Sequence, residues 1–236
     1  MTAKDILEEL KAMGSESYKA MLMKNHGIKE PCFGVKIGDM KKIQKRVKKD
    51  YQLALDLYDT GNYDAMYLAG LIADDARMTR QDLQRWAEKA CTGALPGTTV
   101  AWVAAGGPYG WEMALNWIES SKSHIAATGW STLSCLVALK EDSELDLSRL
   151  KELIDHVQLT IHQAPDAARY AMNGFIISVG SYVKSLTEYA IRAGNTIGPV
   201  TADLGNNQCR IPFAPDYIRK VEQHGKIGKK RKTVKC

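Results

Sequence analysis

Residues 109–118, Tyr109-Gly-Trp-Glu-Met-Ala-Leu-Asn-Trp-Ile118, carry apolar side chains at the spacing of a buried helix. Ile125-Ala-Ala-Thr-Gly-Trp130 and Leu133-Ser-Cys-Leu-Val-Ala138 continue the pattern, so two apolar helices are expected back to back. All five tryptophans (Trp86, Trp102, Trp111, Trp117 and Trp130) fall in this neighbourhood. Immediately before it, Cys91 to Gly110 holds five glycines, two prolines and no acidic residue, and reads as a loop. The combination is either a packed core with a loop beside it or a cleft.

Outward from this stretch the chain reads as helix after helix. Ile6, Leu7, Leu10 and Met13 share one helical face, and Ser15 is a candidate N-cap for a helix ending before Gly27. Asp39–Lys49 is amphipathic, with Met40, Ile43 and Val47 opposite a row of lysines and Arg46. Thr79-Arg-Gln-Asp82 has the form of a capping box, and Pro165 suits the first turn of a helix. Further helices are expected over 51–59, 63–74, 79–91, 111–120, 124–139, 146–162, 165–179, 182–194 and 215–224. The one candidate β segment is a short hairpin over about 196–212, turning at Gly205-Asn206-Asn207. Tyr51-Gln-Leu-Ala-Leu-Asp56 and Trp111-Glu-Met-Ala-Leu-Asn116 share an aromatic–x–apolar–Ala–Leu–Asx pattern, which favours repeated helix pairs. The expected architecture is all-α, an α-α superhelix or solenoid. A single domain spans 1–224, with a basic tail over 225–236.

A chain of 236 residues buries a substantial core, and its 45% apolar and 25% charged residues are ordinary for a globular protein. No apolar run reaches the roughly 18 residues of a membrane span, and the N-terminus lacks signal-peptide features. The five cysteines form no CxxC pair and the five histidines show no ligand spacing. Neither a disulfide framework nor a metal centre is expected, no cofactor is implied, and a reducing cytoplasm is the expected location. The net charge is +5, yet 225–236 alone holds six basic residues and no acid. Positive charge concentrated on one segment points to an anionic partner.

Three segments carry a resemblance to a known family: Met66-Tyr-Leu-Ala-Gly-Leu-Ile-Ala-Asp-Asp75, Met78-Thr-Arg-Gln-Asp-Leu-Gln-Arg-Trp-Ala87 and Gly110-Trp-Glu-Met-Ala-Leu-Asn-Trp117. Together they resemble the AlkD-like DNA alkylation repair proteins, over about Tyr18 to Leu139. The resemblance implies HEAT-like, armadillo-like helical repeats whose surface takes DNA. In the glycosylases of that family, a Trp-Asp-x-x-Asp-like segment follows the helix that here ends near Cys91, and its last Asp stabilises a developing sugar cation. This chain has no carboxylate between Glu88 and Glu112. The position of the family's arginine falls near Ala126-Ala127-Thr128, also uncharged. A cation-like transition state requires a fixed negative charge nearby, so standard glycosylase activity is not expected.

The resulting expectation is a DNA-binding protein, for duplex or branched DNA, with no catalytic residue of the standard kind. Phosphates would be met by Lys41, Lys42 and Lys45, and by Lys229, Lys230, Arg231 and Lys232 on a flexible tail. Trp102 and Trp111 flank the glycine-rich segment and are cleft candidates, whereas Trp86, Trp117 and Trp130 sit at core spacing. Arg169 and Asn173 lie on adjacent turns of one helix, and either line a polar cleft or satisfy neighbouring helix ends. Two alternatives stand beside this reading. One is a glycosylase with a relocated carboxylate, Glu112 being the first candidate. The other is a protein-interaction scaffold.

Overall fold

The computed structural model describes residues 1–203 and 210–235, and every regular element among them is helical. These residues group into two compact units. Unit 1 holds Met1–Tyr109 and Lys235, and unit 2 holds residues 110–203 and 210–234.

Unit 1 carries α1 (Ala3–Met13), α2 (Glu16–His26), α3 (Ile37–Val47), α4 (Tyr51–Asp59), α5 (Tyr63–Ile72), α6 (Arg80–Lys89) and α7 (Ala101–Gly106). Their starts are set by side chains that accept the first free N–H groups. Thr2 with Asp5, and Thr79 with Asp82, form reciprocal capping boxes. Ser15 Oγ accepts from Tyr18 N, as its position suggests. The Tyr51 hydroxyl also donates to Asp82 (2.7 Å), tying the first turn of α4 to that of α6.

The centre of unit 1 is α5, every residue of which is buried. Gly70 on this helix faces Thr99, whose Cγ2 would lie 2.5 Å from any Cβ placed there. Asp64 is fully buried, and its carboxylate accepts the backbone N–H groups of Phe33, Gly34 and Val35 at 2.6–3.2 Å. That one side chain holds the glycine-containing connection between α2 and α3 against the core. Trp86 stacks on Tyr58 (4.0 Å between rings, 5° apart), and the Tyr58 hydroxyl donates to the Trp86 carbonyl.

The segment 91–110 departs from the loop expected of its glycines. A π-helical turn over Pro96–Val100 runs into α7. The reason is the apolar run from Val100 to Ala105, which is buried throughout. A helix is the way to bury such a run with its backbone hydrogen bonds satisfied.

Unit 2 carries α8 (Gly110–Ile118), α9 (Ser123–Leu139), α10 (Leu147–Thr160), α11 (Asp166–Tyr182), α12 (Thr187–Ile197) and α13 (Ala214–Gln223). Gly129 lets α8 and α9 cross closely, since a Cβ there would stand 2.7 Å from Ile118 N and 2.9 Å from Ala114 O. Trp130 packs on Phe175 of α11 (5.2 Å) and on His156 of α10 (6.0 Å). Gly180 faces Ile218 of α13, and Gly194 faces Pro215. Pro165 sits one residue outside α11, at its cap.

The expected hairpin is corrected. Thr196 and Ile197 close α12, and the described flanks 198–203 and 210–213 contain no strand. The proposed turn at 205–207 lies outside the described residues. Side chains satisfy the flanks in place of a strand ladder. Arg169 Nη1 donates to Thr201 O (2.8 Å), Asn173 Nδ2 to Pro212 O (3.0 Å), and His162 Nε2 bonds Ile197 O (2.8 Å).

Candidate nucleic-acid interface

Two positively charged surfaces emerge, one on each unit. In unit 1 the outer face of α3 and the residues after it carry the lysine row. Some of these charges are paired: Lys42 with Asp39 (2.8 Å), Arg46 with Glu9, and Lys49 with Asp74 (3.9 Å). Lys41, Lys45 and Lys48 make no ion pair among the described residues, and Lys45 and Lys48 are exposed.

The surface on unit 2 is a cleft of about 600 Å³ between the C-terminal turns of α11, the exposed side of α13 and residues 226–231. Its lining includes Lys220, Lys226, Lys229, Lys230 and Arg231, and no carboxylate. Tyr217, 47% exposed, and Tyr182 contribute aromatic faces. The Arg231 guanidinium lies 6.0 Å from the Tyr182 ring centroid.

The tail reaches this place because helix ends leave carbonyls without partners, and cations and free N–H groups are stabilised there. Arg231 N donates to Ala138 O (2.7 Å) in the last turn of α9, and Gly228 N to Ser181 O (2.9 Å) near the end of α11. Lys230 Nζ donates to Val137 O (2.9 Å) and pairs with Asp142 (2.8 Å), its side chain only 9% exposed. Gly225 and Gly228, at φ of 63° and 74°, supply left-handed turns that fold the segment back. The tail over 226–231 is thus docked rather than a flexible arm. Of the four tail residues expected at phosphates, Lys229, Arg231 and Lys232 are exposed, while Lys230 is committed to the protein.

The other candidates separate clearly. Trp102 is 5% exposed and packs edge-on against Tyr67 (5.6 Å, 85°), so it belongs to the core of unit 1. Trp111 is half-buried on the first turn of α8, in unit 2, beside exposed Glu112. Trp86, Trp117 and Trp130 are buried, as their spacing indicates. Arg169 has its donors committed to Ala164 O, Thr201 O and, at 3.5 Å, Asp166. Asn173, 4% exposed, is committed to Pro212 O. Both side chains therefore satisfy backbone ends, the second of the two roles open to them from sequence.

Two features escaped sequence reasoning. The first is the contribution of α13 and the end of α11 to the basic cleft; the exposed Tyr217 and Lys220 on an amphipathic helix were the available signal. The second is Asp75. A Cβ on Gly106 would lie 2.4 Å from its Oδ2, and one on Gly107 would lie 2.5 Å from its carbonyl oxygen. Gly106 and Gly107 thus make room for this residue. Lys235 Nζ pairs with the Asp75 carboxylate (2.7 Å) and reaches Ala73 O (3.3 Å). Burial pushes the Asp75 carboxyl above its ordinary value while Lys235 pulls it back, and burial lowers the Lys235 ammonium. Unit 1 thus holds a carboxylate against α7 after all, and it is neutralised.

Among the described residues no group of side chains could hold a metal ion, and no helix is long and apolar enough to cross a membrane.

Packed helices closed by glycine contacts, with positive surfaces on both units, define an all-helical protein of the HEAT-like repeat kind. A solved structure matches it over 100% of both chains at 35% identity and a TM-score of 0.92. That protein is described as belonging to a new family of proteins related to the HEAT-like repeat DNA glycosylases with affinity for branched DNA structures. The family model described as DNA alkylation repair enzyme matches residues 6–202, and the chain belongs to that family. It is also 32% identical over 206 residues to the uncharacterized protein Lin0241 of Listeria innocua, covering 85% of this chain and 88% of that one. With Lmo0209 of Listeria monocytogenes it shares 32% identity over 211 residues, 87% and 91% of the two chains.

Proposed function

We propose that this protein binds DNA, branched as well as duplex, and does so without releasing bases by the carboxylate mechanism of the family's glycosylases. The observation that carries the reading is the cleft of unit 2, which gathers five cations and two tyrosines and no acid. Phosphate contacts from Lys41, Lys42 and Lys45 on one unit, and from Lys226, Lys229, Arg231 and Lys232 on the other, supply affinity with little sequence preference. The affinity of the solved relative for branched DNA supports the same partner. The segment matching the glycosylase motif is carboxylate-free, and Asp75, the carboxylate packed on α7, is held by Lys235. No cofactor is required. Free thiols at Cys32, Cys91 and Cys135 accord with work in the reducing cytoplasm.

The test is titration of a fluorescent duplex and a four-way junction at two salt concentrations, with released base assayed in the same tubes from alkylated DNA. Binding that weakens steeply with salt, without release, is the expected result. Absence of binding even at low salt would overturn the reading in favour of a protein-interaction scaffold. Base release lost on Glu112→Ala would establish a glycosylase with a relocated carboxylate.

A further inference from the structure

The unit 2 cleft has a shape and chemistry that a duplex backbone alone does not use. Its volume of about 600 Å³ lies in the range of a small-ligand site, roughly 300–1,000 Å³. Walls from α11, α13 and 226–231 flank that half-open space, whose size suits a single nucleotide rather than a length of double helix. Lys226 and Lys229 are exposed cations at its rim, and Arg231 is backed by Tyr182. Ser181 lines the cleft from inside. It is 4% exposed, and its Oγ is shielded from water with no hydrogen-bond partner in the protein. A buried hydroxyl without an acceptor is costly, and rotation of this side chain toward the cleft would let an oxygen of a bound ligand satisfy it. Tyr217 presents an exposed ring at the same cleft, and aromatic faces stack on any nucleobase.

We propose that this cleft takes one unpaired nucleotide. Its phosphate would be met by Lys226, Lys229 and Arg231, an oxygen would accept from Ser181, and its base would stack on Tyr217. The proposal rests on the DNA-binding reading and deepens it. A branch point or a frayed end supplies unpaired nucleotides, whereas an intact duplex does not. Preference for branched DNA would then arise from capture of a single-stranded residue in addition to phosphate contacts along the paired arms.

The experiment uses the full chain and two DNAs of equal length, a blunt duplex and a fork with unpaired arms, the fork carrying 2-aminopurine at one unpaired position. The expected result is tighter binding of the fork and quenching of 2-aminopurine on binding. Tyr217→Ala should abolish the quench and cut fork affinity by about tenfold, the size of one lost base stack. Tyr217→Phe should keep the quench, because the ring and not the hydroxyl carries it. Equal affinity for fork and blunt duplex, with no quench, overturns the proposal while leaving the DNA-binding reading intact. No binding of either DNA overturns both. A free deoxynucleoside monophosphate that competes at concentrations comparable to the fork would show a site for soluble nucleotides, and likewise overturn it.

Discussion

Lys235 and Asp75 show how much one pair can matter to a single residue's neighbourhood. Their side chains are 15–16% exposed, so removing the lysine leaves a nearly buried carboxylate against Gly106 and Gly107. Lys235→Ala is expected to cost about 3 kcal/mol, and Asp75→Asn added to it should recover part of that loss, as read by urea denaturation. The pH dependence follows from the sign of the shift. The Asp75 carboxyl already lies above its ordinary value because of burial, and loss of the lysine raises it further. A raised folded-state value means the protonated carboxyl suits the fold. The penalty of Lys235→Ala should therefore be largest at neutral pH and shrink as pH falls through the raised value toward about 4. A penalty unchanged between pH 7 and 4.5 would show that the carboxylate is not the source. The thiols make a second prediction. Burial pushes Cys32 and Cys135 up to about 12, whereas Cys91 is exposed. Alkylation of the native protein at pH 8, mapped by mass spectrometry, should mark Cys91 first, half-buried Cys135 more slowly, and spare buried Cys32 until the chain is unfolded.

At the scale of elements, the decisive contacts are made by glycine and by single polar side chains. Gly129→Ala would gain up to about 1 kcal/mol in helix propensity. It would also drive a Cβ into the backbone of α8 at 2.7 Å. Overpacking of that kind costs about 1–3 kcal/mol, so the net effect should be a lower thermal midpoint. A rise would mean that α8 moves aside easily. Asp64→Ala should be more damaging, because three backbone N–H groups at 33–35 lose their common acceptor in a buried place. The docked tail obeys the same accounting of helix ends. Charge was its legible feature in the sequence; the carbonyls that hold it, at Val137, Ala138 and Ser181, become visible only once α9 and α11 end beside it.

At the scale of the whole molecule, DNA affinity should respond to charge on both units. Lys41→Ala with Lys45→Ala, and separately Lys226→Ala with Lys229→Ala, should each flatten the dependence of log affinity on log salt. The expected change is about 0.9 for every phosphate contact removed. Fluorescence anisotropy across a salt series measures this directly. A slope unmoved by either pair would show that the surface concerned does not touch the backbone.

The sequence by itself determined the helical class, the capping box at Thr79, the N-cap at Ser15, the burial of Trp86, Trp117 and Trp130, and the family. Helical periodicity and cap chemistry are local, and the family motifs are contiguous. It also showed that no carboxylate lies between Glu88 and Glu112, since an absent residue type is visible without coordinates. What only the tertiary structure decided is where separated residues meet. Trp102 entered the core because α7 formed where glycines suggested a loop. Asp75 reached that helix from a different segment and met Lys235 from the far end of the chain. Arg169 and Asn173 turned to carbonyls at 201 and 212, where strand pairing had been expected. The basic cleft joined Ser181, Tyr217 and Lys229 across three segments. Such meetings depend on which surfaces pack and which backbone groups remain unsatisfied, quantities that exist only after the helices have assembled.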